Sequence, residues 1–395
     1  MKNKQFGGFV ILGLATAVLA VANSQSLEFK SFKLTDSKER VTGVYCTTAK
    51  NCVLATEVSG GGKVYASNGQ GMGARLVDGA DDANSSKVGL LGGINFFGFA
   101  KAGNQIMALS NVSKALISSK ADLSGWSVKT LGKTPGGLNV QTGIGVKDDR
   151  WVLGVQAYIT ESLDEPSDGA LWTAIWSPEG APDGFYQLWR DSNKTLCSSL
   201  PGSSFAIKPL QNVYIAADLG ILAYPTNGGS RSSPDKEGVC LSSDGGKRFY
   251  RANLPDAQSG DTPYGVTCIS SDKCFTFSNK AAVFYGKTDF IYFTTDARKT
   301  AASTWKAAKL PTMRPDSRFN GIFFAPDGKN GWAVGQVGVS NPLLLSTVDG
   351  GETWKDTTAS VRGLAPDAQL HTGFALDATT IWLGTNQGTV ITSAK

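Results

Sequence analysis

Seven times along the chain, a small-and-apolar strand runs into a polar turn and returns as a strand of the form V/I/L-x-G/A. The copies are GVYCTTAKNCVLATE (43–57), FFGFAKAGNQIMALSN (96–111), TGIGVKDDRWVLGVQ (142–156), FAIKPLQNVYIAAD (205–218), GVTCISSDKCFTFSN (265–279), NGIFFAPDGKNGWAVGQ (320–336) and HTGFALDATTIWLGTN (371–386). Trp151, Trp332 and Trp382 open the return strand in three of them. Self-similarity at intervals of about 50–60 residues is the signature of a repeat architecture. No 3.6-residue apolar period of useful length separates the copies, so the repeats read as all-β. With 41% apolar and only 18% charged residues and 47 glycines among 395, the composition suits many short strands joined by tight turns.

A second signal follows most hairpins. It reads STVDGGETW at 346–354, SSDGGKRF at 242–249, TTDARKTAASTW at 294–305 and SSKADLSGW at 118–126. Asp and Gly favour a tight turn here, and the aromatic opens an outer strand and packs back on its own unit. Thr347, Asp349, Gly351, Thr353 and Trp354 resemble the Asp-box, or BNR repeat; Ser242, Asp244, Gly246 and Phe249 form a degenerate copy. The chain is thus similar to the sialidase-like and photosystem II assembly-factor-like β-propellers. The resemblance implies four strands per unit and an Asp-box that acts as a structural turn, remote from any active site. The expected fold is an all-β, seven-bladed β-propeller, or six-bladed if one degenerate unit is an insertion. The last repeat ends without an outer strand, and SLEFKSFKLTD (26–36) looks like one. The N-terminal strand is therefore expected to pair in the last blade and close the ring.

Residues 1–22 read as a signal peptide. Lys2 and Lys4 form a positive start, Phe9–Leu19 a short apolar core, and Ala20-Val21-Ala22 a small-x-small cleavage site. Residues 23–395 then form a single propeller domain, secreted, or periplasmic in a Gram-negative source, with no membrane span. Six cysteines agree with export. Cys46/Cys52 and Cys268/Cys274 each flank a short turn, which puts them on adjacent antiparallel strands where a bridge closes. Cys197 and Cys240 pair by elimination. Asn84, Asn111 and Asn193 begin glycosylation sequons, used only in a eukaryotic source.

Net charge is +5 with no basic run, which argues against nucleic acid as a partner. A single histidine, His371, excludes any mechanism or metal site that needs two. It opens the inner strand of the last repeat, where packing or a backbone hydrogen bond is the expected role. Asp78, Asp81 and Asp82 lack a calcium-loop spacing, so no metal and no cofactor are expected. Relative to sialidases, no arginine triad or R-I-P element is visible; MRPDSRF (313–319) is the nearest string and reads as lying between blades.

In a propeller the face opposite the Asp-box turns collects the longer loops and usually binds ligands. Three neighbouring repeats lengthen their loops there: 159–169 with Glu161, Asp164, Glu165 and Asp168; 225–238 with Arg231 and Lys236; 278–290 with Lys287 and Asp289. The expected function is a non-catalytic binding or assembly module that takes a protein or glycan ligand on this face. Two alternatives stand beside it. One is a carbohydrate-active, glycoside hydrolase-like enzyme using paired carboxylates of 161–168. The other is an extracellular structural or adhesion component that self-assembles through its rim.

Overall fold

The computed structural model describes residues 27–34, 39–58, 62–67, 74–76, 96–102, 104–110, 114–130, 138–147, 150–157, 169–175, 185–190, 214–215, 221–225, 238–243, 250–255, 263–278, 290–365 and 367–393. The expected leader, 1–22, lies outside them. Among the described residues no helix is long and apolar enough to cross a membrane.

The described strands are organised as seven four-stranded antiparallel sheets. β1 (Lys30–Lys33) precedes the first sheet, which holds β2 (Arg40–Cys46), β3 (Cys52–Glu57), β4 (Val64–Ser67) and β5 (Ala74–Leu76). The second holds β6 (Phe96–Ala102), β7 (Gln105–Ser110), β8 (Lys114–Ser118) and β9 (Ser127–Thr130). The third holds β10 (Leu138–Lys147), β11 (Arg150–Ala157), β12 (Gly169–Ile175) and β13 (Phe185–Arg190). The fourth holds β14 (Tyr214–Ile215), β15 (Leu222–Pro225), β16 (Gly238–Ser242) and β17 (Tyr250–Asn253). The fifth holds β18 (Pro263–Cys268), β19 (Cys274–Ser278), β20 (Ile291–Thr294) and β21 (Trp305–Ala307). The sixth holds β22 (Ser317–Phe324), β23 (Gly331–Val337), β24 (Asn341–Thr347) and β25 (Lys355–Asp356). The seventh holds β26 (Leu370–Ala375), β27 (Ile381–Thr385) and β28 (Thr389–Thr392), with β1 antiparallel to β28 on its outer edge, Lys30 opposite Thr392 and Lys33 opposite Thr389.

The fourth sheet departs from the sequence expectation. Its first strand, β14, stands against β10 and β18, so it is the innermost of its sheet. The hairpin assigned to 205–218 took this strand for a return strand, because the residues before it carry the same small-and-apolar pattern. MRPDSRF is the other correction: Ser317, Arg318 and Phe319 belong to β22 rather than to a connection.

Four of the inner hairpins turn on one short polar side chain that accepts from an amide three residues ahead, the local competition that stops a strand. Thr48 Oγ1 accepts from Asn51 N at 3.1 Å, Ser270 Oγ from Lys273 N at 3.0 Å, Asp327 Oδ1 from Asn330 N at 3.0 Å and Asp377 Oδ1 from Thr380 N at 2.7 Å. The strands flanking the first two of these turns, in the first and fifth sheets, put Cys46 opposite Cys52 and Cys268 opposite Cys274, and both pairs are disulfides. Cys240 is disulfide-bonded as well, while Cys197, its expected partner, lies outside the described residues.

The core consists of apolar layers, each shared by two sheets. Val53, Ala55, Val64, Phe96, Ile106 and Leu116 join the first sheet to the second. Phe275, Phe277, Phe319, Ala333 and Leu345 join the fifth to the sixth. Val41, Leu54, Tyr65, Trp382 and Val390 join the first to the seventh. None of these layers is closed by one sheet alone, so the sheets that share a layer depend on each other.

Candidate binding face

The Thr347–Trp354 turn shows how the chain closes the end of a sheet. Asp349 Oδ1 accepts from the Thr347 hydroxyl at 2.8 Å and from the amides of Glu352 and Thr353, both at 3.0 Å. Slight burial works to raise the Asp349 pKa, but these donors outweigh it and hold the carboxyl below its usual range. Gly351 has φ +88°, and a Cβ there would stand 2.4 Å from the Phe275 ring, so glycine is required twice over. Trp354 is buried between the fifth and sixth sheets, and its indole N–H donates to the Gly351 carbonyl at 3.0 Å. Thr294, Asp296 and Trp305 repeat the pattern around an inserted 3-10 turn at Ala297–Ala302, with Asp296 Oδ1 accepting from Thr304 N at 2.8 Å. Ser242 is buried at the end of β16; Asp244, Gly246 and Phe249 lie outside the described residues. Asp296, Asp327, Asp349 and Asp377 are all held ionised as acceptors in such turns, which suits them to structure rather than to proton donation.

The inner strands begin at the other end of the sheets. Six of them carry a one-residue irregularity near the start, skipping Thr42, Phe97, Gln141, Tyr264, Asn320 and His371. A bulge at this point lets a side chain leave the pleat and reach sideways. The Thr42 hydroxyl donates to the Phe96 carbonyl of the second sheet, and Asn320 Nδ2 donates to the Leu370 carbonyl of the seventh at 2.8 Å. The inner strands approach so closely that a Cβ on Gly43 would stand 2.4 Å from Gly98 Cα.

Three basic residues stand at these starts: Arg40 on β2, Arg318 on β22 and His371 on β26, which packs against both of those strands. Arg40 pairs with Glu57 at 3.3 Å. Burial, and then the Arg40 charge, push the His371 pKa down to about 4, so its imidazole is neutral at pH 7. Arg318 is different. Its guanidinium is half-buried, and its Nε is buried without a hydrogen-bond acceptor. Its cross-strand neighbour Gln336 is committed to the Gly338 carbonyl at 2.8 Å. Close by, Gln369 Nε2 donates to the Val339 carbonyl at 2.6 Å, and Asn386 Oδ1 accepts from Gln369 N at 2.8 Å. Val339 itself is 78% exposed, an apolar tip on the same rim.

The residues singled out in the sequence as a binding face, Glu161, Asp164, Glu165, Asp168, Arg231, Lys236, Lys287 and Asp289, lie outside the described residues, as do Asp78, Asp81, Asp82, Asn84, Asn111 and Asn193. The described strands around those loops are second and third strands of the third, fourth and fifth sheets. Arg40 and Arg318 were not singled out. The usable signal is a basic residue three positions before a repeat's first glycine: Arg40 before Gly43, Arg318 before Gly321.

No family model and no curated protein matches the sequence. Solved structures do. YCF48 from Cyanidioschyzon merolae aligns at 12% identity and TM-score 0.62, covering 92% of this chain and 98% of that one. YCF48 bound to a D1 peptide aligns at 11% identity and TM-score 0.56, covering 93% and 96%. The GH74 xyloglucanase of Xanthomonas campestris aligns at 14% and TM-score 0.55, covering 91% of this chain but 53% of its own. At these identities the likeness speaks to fold alone.

Proposed function

We propose that this β-propeller is a non-catalytic binding and assembly module whose seven sheets are seven blades of one ring, closed by β1. Support for the ring comes from the apolar layer shared by the first and seventh sheets and from the β1–β28 ladder. The Thr347–Trp354 turn supports placing the chain among Asp-box propellers. The leader at 1–22 and the disulfides support an exported, oxidising location.

The ligand on this reading is a protein segment presenting a carboxylate at the rim where the inner strands begin. The observation that carries it is Arg318. A buried guanidinium N–H without an acceptor costs stability, and an incoming carboxylate meets it with charge-assisted hydrogen bonds. The neighbouring bases do not compete, because Arg40 is paired with Glu57 and His371 is neutral. A YCF48 structure with a peptide bound makes a protein segment the natural first partner to test.

Binding of immobilised peptides with free, and with amidated, acidic groups tests this reading. Arg318→Gln is expected to weaken the acidic peptides about 10–100-fold, the equivalent of one charged hydrogen-bonded contact, without lowering the melting temperature. Equal binding by Arg318→Gln, or indifference to amidation, would remove the carboxylate. Turnover of glycans by the same protein would favour the carbohydrate-active alternative instead.

A further inference from the structure

Side-chain hydrogen bonds link the inner strands of the first sheet to the second and of the sixth to the seventh, and no equivalent bond is found among the described residues at the join between the seventh and first sheets. Thr42 and Asn320 occupy the same place in their strands, the residue skipped just before the glycine. Each donates to the carbonyl of the residue preceding the skipped position in the next sheet, Phe96 and Leu370. Thr267 makes a similar link from the fifth sheet to the Ile322 carbonyl of the sixth, at 3.1 Å. His371 is the skipped residue of the seventh sheet, followed by Thr372 rather than by a glycine, and the matching acceptor in the first sheet is the Val41 carbonyl. Among the described residues no such bond leaves His371.

The same join carries a second deficit. Trp382 is fully buried in its apolar layer with an indole N–H that finds no acceptor, whereas Trp126, Trp305 and Trp354 all donate theirs. On the strands packed against the His371 strand, the charged residues are Arg40 on β2, paired with Glu57 of β3, and Arg318 on β22, with Glu39 just ahead of β2. Glu39 is already committed, accepting from the Thr56 hydroxyl at 2.8 Å and the Tyr65 hydroxyl at 3.1 Å.

We propose that the join between the seventh and first sheets is an acid-sensitive seam of the ring, with His371 as its sensor: neutral, it is tolerated beside Arg40, and protonated, it places two like charges across an unlatched contact and releases β1 and β28. This goes beyond the binding reading but rests on the ring. The direction follows from the folded state holding His371 neutral down to about pH 4, while an unfolded imidazole takes up its proton near 6.5. Stability present above pH 6.5 is therefore lost progressively as pH falls from 6.5 to about 4.

Hydrogen exchange and melting of the full chain at pH 7.5 and 4.5 test the seam. Protection of the β1 and β28 amides at pH 7.5 checks ring closure separately; no protection there would overturn the ring before the sensor is reached. With closure established, acid is expected to lower the melting temperature of the natural protein by about 3–6 °C more than that of His371→Asn. Asn is the sixth sheet's own latch and does not titrate. The excess exchange is expected in β1, β2, β26 and β28. Arg40→Gln, which removes the facing charge, is expected to lessen the acid effect. An acid response that is identical in His371→Asn, or that starts in another sheet, would overturn the proposal.

Discussion

Asp349 illustrates what one residue contributes. It accepts three hydrogen bonds within its own turn, from the Thr347 hydroxyl and from the amides of Glu352 and Thr353. Asp349→Ala is expected to destabilise the fold by roughly 1–2 kcal/mol, since the amides of Glu352 and Thr353 keep partial access to water. Peptide binding per folded molecule should be unchanged. Denaturant melts paired with the peptide assay check both halves, and a loss of binding at unchanged stability would contradict the placement of this turn away from the ligand. The Asp349 carboxyl is held below its usual pKa, so its contribution is present above about pH 4 and fades as pH falls through the lowered value. That window lies below the one expected for His371, so the two residues are separable by titration. Arg318 shows the opposite case. Its type is ordinary, the string around it reads as a connection between repeats, and only the packing of β22 leaves its Nε buried and unpaired.

At the scale of elements, β1 has the most leverage for its length. Phe32 and Leu34 pack into the layer between the seventh and first sheets, while Leu27 and Phe29 pack into the layer between the sixth and seventh. Leu34 N also donates to the Gly388 carbonyl at 2.9 Å. Deleting residues 23–36 removes four apolar side chains from two layers and exposes the edge of β28. The expected cost is several kcal/mol together with aggregation, read by melting and light scattering; a truncated chain that melts like the parent would make this segment a tail. The inner hairpins show how far local chemistry reaches. Thr48, Ser270, Asp327 and Asp377 cap what the sequence shows as polar turns, and the two cysteine pairs face each other as their six-residue separation suggests. The fourth sheet marks the limit. Two stretches there share one apolar pattern, and local sequence has no means of ranking which becomes the inner strand.

For the whole molecule, the shared layers have a thermodynamic consequence. A sheet such as the sixth gives one face to the fifth through Phe319 and Leu345, and the other to the seventh through Trp332 and Leu344. Loss of either neighbour leaves an apolar face in water, so the sheets are expected to unfold together. Scanning calorimetry of the disulfide-intact protein should give a single transition; two well-separated transitions would mean that the sheets form independent groups.

The repeat, the strand–turn–strand unit, the two hairpin disulfides and the use of Asp and aromatic residues in the sheet-end turns were all legible in the chain. Each depends on residues within about a dozen positions of one another, where alternation and turn chemistry act directly. The rim did not yield to the same reasoning. Arg40, Arg318 and His371 are separated by 278 and 53 residues in sequence, and they share a neighbourhood because β26 packs against β2 on one side and β22 on the other. Whether a basic side chain is paired, neutral or left without an acceptor is settled by desolvation and by what the next sheet offers, and neither quantity is written into the residues beside it.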